Sequence, residues 1–409
     1  MTTPLSPEAI LLQRYRGVRE RSKRLCAPLM PEDHVPQPMS DVSPPKWHLG
    51  HTTWFFERFV LLPGRPGQQA FHPGYDFVFN SYYEGAGARL ASAHRGHLSR
   101  PTVAEVMAYR DHVDAAMAGL LAQPLGSELT ALMELGLQHE QQHQELIVTD
   151  LKFILGNNPL APPYDPQHDG ALDLGAEHDG TCPPLDDWVR IDGGTREIGH
   201  AGRGFAFDNE LPRHAVLVPA FELRQALVTN DEYLAFMADG GYERHEFWHA
   251  EGWDWVQTLT HKAPLYWQPD AHRPGRWLNY TLSGVQPLVG QAPVTHISYY
   301  EAFAFCQWAG WRLPTEFEWE AGASAFGWGR RWEWTQSAHQ PYPGFRRAAH
   351  VVGEYNGKFM VNQQVLRGSS FATPPGHARQ TYRNFFHAPS RWQYTGIRPA
   401  RGPAREAAA

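Results

Sequence analysis

The sequence predicts a two-domain fold, an all-α four-helix bundle followed by an α+β domain. Residues up to about 155 fall into four segments with helix start and stop signals. From about Asn157 to Asp187 the composition turns to Pro, Gly, Asp and Asn with little periodicity. Beyond that, short apolar strands alternate with glycine turns and scattered tryptophans, the pattern of an irregular, loop-rich α+β domain. The expected boundaries are therefore 1–156 for the bundle, 157–187 for a linker and 188–409 for the second domain. A chain of 409 residues is long enough for two or three domains with real cores.

In order along the bundle, Ser6-Pro7-Glu8 caps a first helix running toward Leu25, with proline tolerated in the opening turn. Ser43-Pro44-Pro45 opens a second, which carries Trp47, His48, His51, Trp54, Phe55 and Phe59 and stops at Pro63-Gly64. Thr102 to Glu105 has the form of a capping box and starts a third helix through Leu121. Ser127 is expected to cap the fourth, which ends near Leu155 before Gly156 and Pro159. A long aromatic loop from Phe71 to Arg100 separates the second and third helices, and loops of that length in a bundle usually serve function. In the second domain, strands are expected at Trp188–Ile191, Ala215–Phe221 and Leu366–Phe371, and helices chiefly at Thr229–Ala238 and Tyr299–Trp308.

Composition narrows the function classes. A net charge of −7 argues against nucleic acid or an anionic membrane surface as the main partner. Cys26, Cys182 and Cys306 are too few and too scattered for a disulfide framework or a thiolate cluster, so a reducing cytoplasm is expected. No basic region followed by an apolar stretch opens the chain, and no run approaches the roughly 20 apolar residues of a membrane span. The sequence leaves oligomeric state open.

The strongest chemical signal lies in the fourth helix, Leu137-Gln138-His139-Glu140-Gln141-Gln142-His143. Residues i and i+4 share a helical face, so both imidazoles can reach one metal. The second helix adds His48 and His51, and bundle metal sites form from inward side chains on facing helices. Three ligands suffice, so one of that second pair is expected to support or pack. Histidines without cysteine suit Fe(II) or Zn(II), and ligand type alone does not choose. In a chain with 22 histidines, a chance pair is the plain alternative; a second pair on another helix favours a site. His139-Glu140-x-x-His143 also fits the zinc-peptidase motif, in which the glutamate is the general base. Against that, the helix runs on through Leu146-Ile147-Val148, and no downstream ligand on a following helix is evident.

Several stretches together are more specific. Ser43 to Glu57 (SPPKWHLGHTTWFFE) and His139 to Glu145 (HEQQHQE) resemble the N-terminal DinB-like bundle of the ergothioneine-pathway sulfoxide synthases, the EgtB family. The second half resembles the formylglycine-generating-enzyme/sulfatase-modifying fold, a C-type-lectin-like α+β domain. The matching stretches are Phe207 to His214 (FDNELPRH), Val228 to Tyr233 (VTNDEY), Trp311 to Trp319 (WRLPTEFEW) and Trp332 to Thr335 (WEWT). Leu366 to Pro374 (LRGSSFATP), Tyr382 to Phe386 (YRNFF) and Tyr394 to Arg398 (YTGIR) complete them. A formylglycine-generating enzyme needs a cysteine pair in the later part of its domain; here no cysteine follows Cys306 and Ser369-Ser370 stand in that tail region, so that activity is not expected.

The resemblance implies a non-haem Fe(II) enzyme that uses O₂ to join a cysteine-type thiol to the imidazole carbon of hercynine (Nα-trimethylhistidine), giving a sulfoxide. By motif position the iron ligands are expected at His51, His139 and His143, with His48 in a supporting role. Gln142 matches the residue that addresses the hercynine imidazole. Asn384, Phe385 and Phe386 match the segment that receives its trimethylammonium and carboxylate end; attraction of a quaternary cation to a ring face is worth roughly 0.5–2 kcal/mol. Tyr82 and Tyr83, in the long loop, match a tyrosine pair near the iron, where a phenol can donate a proton. Arg95 is the candidate for the thiol substrate's carboxylate. Synthases that use γ-glutamylcysteine tend to carry an acid and an arginine near Phe386 and Ser390, and their absence favours free cysteine. Other expectations left open are the same reaction with γ-glutamylcysteine, an iron thiol dioxygenase, and a non-catalytic lectin-like binding module.

Overall fold

A computed structural model describes residues 6–83, 85, 87–164, 186–347 and 356–402. The chain divides into two compact units; the first contains the bundle together with Leu282–Gly284 and Ala372–His377, segments the sequence assigns to the second domain. Most of the expected linker 157–187 and Cys182 lie outside the described residues. Among the described residues no helix is long and apolar enough to cross a membrane.

The bundle is built from α1 (Pro7–Cys26), α2 (Pro45–Phe56), the short α3 (Tyr75–Phe79), α4 (Val103–Leu121) and α5 (Ser127–Gly156). The Ser6 hydroxyl accepts from the Ala9 amide, and Thr102 and Glu105 form the expected capping box, each supplying an acceptor that an isolated first turn lacks. The N-cap of α5 is Gly126, one residue before the expected Ser127; the backbone is still extended at Gly126 (ψ 157°) and helical from Ser127 onward. α2 does not stop cleanly. It continues through a π-helical turn, Glu57–Leu61, which turns Glu57 toward Tyr109 (2.6 Å) and the Phe71 amide (2.8 Å) and so anchors the start of the long loop.

That loop is tied to α2 along its length. Trp54 Nε1 donates to Asp76 (2.7 Å), Trp47 Nε1 to the Val78 carbonyl (3.1 Å), and Lys46 to the Leu98 carbonyl (2.6 Å). These bonds, with α3 inside the loop, give an irregular segment the fixed position that a functional loop needs.

The second unit is an α+β assembly of short strands. β1 (Trp188–Ile191), β4 (Phe221–Arg224) and β12 (Ala400–Arg401) form one antiparallel sheet, and β2 (Gly194–Ile198) pairs with β3 (His214–Val218). β5 (Trp267–Pro269), β6 (Trp277–Thr281) and β7 (Gly284–Pro287) make a third. The largest has the order β10 (Asn384–His387), β9 (Gln363–Gly368), β8 (Trp332–Ala338), β11 (Thr395–Gly396), with β11 running parallel to β8. Its helices are α6 (Asn230–Ala238), α7 (Ala250–Gln257), α8 (Tyr299–Trp308) and α9 (Glu316–Gly322). The strand expected over Ala215–Phe221 is two strands, divided at Pro219-Ala220, because proline has no N–H to contribute to a ladder. Sequence reading passed over α7 and α9, although Thr315 and Glu318 form a full capping box at the start of α9. A core of Val218, Phe221, Leu223, Trp319, Phe326 and Ala400 holds α9 against the first sheet.

Candidate metal centre

His51 lies on α2, His139 and His143 lie on α5, and the three offer ring nitrogens that are all within 4.8 Å of one another. All are buried. His51 Nδ1 stands 2.6 Å from the Phe79 carbonyl, which can only accept. The proton of neutral His51 is thereby on Nδ1, and Nε2 presents a lone pair, 3.1 Å from His139 Nε2. The long loop thus fixes a tautomer through one backbone carbonyl. Trp47 stacks on the His51 ring (4.6 Å between centroids, 10° between planes), which restricts its rotation.

Burial disfavours charge on all three rings. It brings His139 down to about 3 and, with neighbouring imidazoles adding to the effect, holds His51 and His143 well below the usual histidine range. The rings are therefore neutral at physiological pH, which is the state in which imidazole binds a metal.

His48, the fourth histidine, sits 2.8 Å from His143 through their Nδ1 atoms and 3.0 Å from Asp150 Oδ2 through its own Nε2. Glu140, the glutamate of the peptidase-like motif, is turned away from this cluster. Its carboxylate accepts from Arg19 (2.9 Å), from the Ser22 hydroxyl (2.6 Å) and from Arg110. Burial raises this carboxyl, but Arg110, Arg19 and Ser22 outweigh it and hold it at about 2. A carboxylate so engaged is a structural ion, not a general base near neutrality.

The remaining candidates fall in several places. The Arg95 guanidinium lies over the Trp47 ring at 3.5 Å and donates to the Ser43 hydroxyl at 2.8 Å; burial brings it down to about 9, which leaves it cationic at neutral pH. Tyr82 and Tyr83 pack ring against ring at 4.6 Å. Tyr83 is buried against Trp54, Phe55 and Phe59, and Phe55 in turn meets the His139 ring at 4.7 Å, so the tyrosine pair is one aromatic layer from a triad histidine. Gln142 is half-buried on α5 between His139 and His143. Within the same unit, the Ala372–His377 segment fastens to α5: His377 Nδ1 lies 2.7 Å from Gln138 Oε1, and Thr373 donates to Glu145 (2.6 Å). Asn384, Phe385 and Phe386 form most of β10 in the second unit, where Phe385 stacks on His339 (4.0 Å, 11°) and Phe386 meets Trp392 edge-on (5.9 Å).

Sequence reading missed the Phe79 carbonyl, Asp150 and the Thr373–His377 clasp. Asp150 was within reach, because it lies seven residues after His143 on the same helical face. The carbonyl and the clasp depend on loop geometry and leave no local sequence pattern.

The chain matches the DinB superfamily over residues 14–147 and the sulfatase-modifying factor enzyme 1-like domain over residues 176–331. It is 30% identical to the hercynine oxygenase of Mycobacterium tuberculosis, an alignment that covers 88% of this chain and 91% of that protein. Hercynine oxygenases of Mycolicibacterium smegmatis and Mycolicibacterium thermoresistibile are each 28% identical, over 88% of this chain and 91% and 87% of theirs. With both domains matched in order and the likeness running through nearly the whole chain, the protein belongs to the hercynine oxygenase family, the sulfoxide synthases of ergothioneine biosynthesis, and is an oxidoreductase.

Proposed function

We propose that this enzyme is a non-haem Fe(II), O₂-dependent sulfoxide synthase that joins cysteine to the imidazole carbon of hercynine. The observation that carries the reading is the convergence of three neutral imidazoles, at His51, His139 and His143, in a member of this family. The donor set suits the ion: three nitrogen ligands without a thiolate leave positions open, as oxygen chemistry on Fe(II) requires. Bound there, Fe(II) would supply those positions and mediate electron transfer to O₂. The reaction balances without an external reductant. Hercynine gives up its ring C–H, the thiol its S–H, one oxygen atom goes to sulfur, and the other leaves as water.

The remaining residues have roles in binding and proton transfer. Arg95, cationic and already held against Trp47, would receive the carboxylate of the thiol substrate. Gln142 would hydrogen-bond the hercynine imidazole, and Asn384, Phe385 and Phe386 its trimethylammonium and carboxylate end. A phenol from the Tyr82–Tyr83 pair would donate the proton that favours C–S bond formation over simple thiol oxidation. Cysteine is the favoured donor because Phe386 packs on Trp392 and Ser390 donates its amide to the His387 carbonyl; neither supplies a charge for a γ-glutamyl group.

The test is anaerobic reconstitution with Fe(II), then O₂ with hercynine and either cysteine or γ-glutamylcysteine, with products read by mass spectrometry. A hercynylcysteine sulfoxide mass from cysteine is expected. Formation only from γ-glutamylcysteine would reassign the donor, and oxidised thiol with untouched hercynine would make the enzyme a thiol dioxygenase. Tyr82→Phe and Tyr83→Phe are expected to shift product toward oxidised cysteine; an unchanged rate and ratio in both and in the double variant removes the tyrosine role.

A further inference from the structure

Asp150 and His48 have no part in the chemistry above, yet both are almost wholly buried beside it. Asp150 Oδ2 accepts from the Ser43 amide at 2.8 Å and stands 3.0 Å from His48 Nε2. His48 Nδ1 stands 2.8 Å from His143 Nδ1. Proton positions follow from the fixed end of this chain. A carboxylate only accepts, so His48 Nε2 carries a hydrogen. The His48–His143 contact needs one donor, and a metal-ligating His143 has to supply it: its Nδ1 carries the hydrogen and His48 Nδ1 accepts. His143 is left with its lone pair on Nε2, the nitrogen free to face His51 and His139.

We propose that Asp150, acting through His48, is a positioning residue that fixes the tautomer and ring orientation of His143 and strengthens it as a metal donor. The proposal rests on the metal reading of the histidine triad. Its counterpart for His51, on the facing helix, is the Phe79 carbonyl of the long loop. Two of the three ligands thus have their protons assigned by acceptors outside the centre, one a backbone carbonyl and one a carboxylate. Partners of this kind typically change metal affinity 10–100-fold when removed.

The experiment is an anaerobic titration of the full-length apoprotein with Fe(II) against a competing chelator, with Co(II) absorption as a reporter of ligand geometry. Asp150→Asn keeps the size and an accepting oxygen but removes the charge. His48→Asn keeps an oxygen within reach of His143 Nδ1 but cannot extend to Asp150. Each is expected to weaken metal binding about 10–100-fold and to alter the Co(II) spectrum, with little change in the thermal midpoint of the apoprotein. Because both act through one chain, the double variant is expected to lose no more than the weaker-binding single. Unchanged affinity in both single variants, or losses that multiply in the double, would overturn the proposal. Should Asp150→Asn fail to fold, unchanged affinity in His48→Asn alone overturns it. A wild-type protein that binds neither Fe(II) nor Co(II) would instead refute the metal reading itself.

Discussion

His139 and Glu140 are neighbours in sequence on one helix, and they build two buried polar centres of opposite kind. Glu140 points to α1 and α4, where Arg19, Ser22 and Arg110 meet its carboxylate with opposite charge and hydrogen-bond donors. His139 points to α2, where it meets other imidazoles. Burial acts on both in the same sense, against charge. At Glu140 two guanidiniums overcome it and the group stays ionised; at His139 nothing of opposite sign is strong enough and the ring is neutral. One centre is a completed ion cluster that joins three helices. The other is a set of Lewis bases that the fold holds in place, and under the proposed function a shared cation would accept all three lone pairs. A rotation of about 100° along the helix separates a structural role from a chemical one.

Substitutions at the two positions test that contrast, beginning with the largest effect. His139→Leu is expected to abolish metal binding outright, measured as bound Fe(II) after anaerobic reconstitution. It is expected to leave apoprotein stability within about 1 kcal/mol, because a buried neutral ring is replaced by an apolar side chain of similar reach. Glu140→Gln is expected to do the reverse. It leaves the buried Arg110 guanidinium without its counter-charge and Arg19 with Asp114 alone, a loss of about 3–5 kcal/mol in denaturant unfolding, while the folded fraction still binds one metal ion. If His139→Leu unfolded the bundle, or if Glu140→Gln were stable but inactive, the assignment of roles to the two faces would be wrong. The second outcome would also revive a general-base role for the glutamate.

How far the sequence could anticipate this differs between the two faces as well. Helical periodicity placed His139 and His143 on one face, and caps at Ser6 and Thr102 located two helix starts to the residue. Those signals are local, and local physics determines them. Glu140 shows in the sequence only as part of a motif, since its partners Arg19 and Arg110 lie 121 and 30 residues away and no spacing rule connects them. The choice of His51 over His48 as a ligand came from the family resemblance. The two rings differ in their surroundings: His51 has its Nδ1 at a loop carbonyl, and His48 lies between Asp150 and His143. In the second unit, the split at Pro219 is legible from proline's missing N–H. α7 was harder, because its short run Ala250–Gln257 offers only eight residues of pattern.

The smallest expected effects separate the histidine centre from ordinary helix surface, and a single type of substitution is enough. Gly17 lies exposed on α1, and a Cβ added there meets nothing within 4 Å. Gly17→Ala is therefore expected to stabilise the bundle by about 0.5–1 kcal/mol through helix propensity alone. Gly50 lies on α2 immediately before His51, and a Cβ there would overlap the Phe79 ring. That ring has little room to yield, since Tyr75 and Tyr109 pack against it at 5.0 and 6.2 Å and it is buried. Overpacking of this kind costs about 1–3 kcal/mol, enough to cancel or reverse the propensity gain. Displacing Phe79 also displaces the carbonyl that sets the His51 tautomer, so Gly50→Ala is expected to weaken metal binding as well as to lower the thermal midpoint. Gly17→Ala is expected to leave metal binding unchanged. Equal stabilisation by both substitutions, with equal metal affinity, would mean that the loop carbonyl adjusts freely, and that His51 is oriented by its stacking on Trp47 and not by the close approach that Gly50 permits.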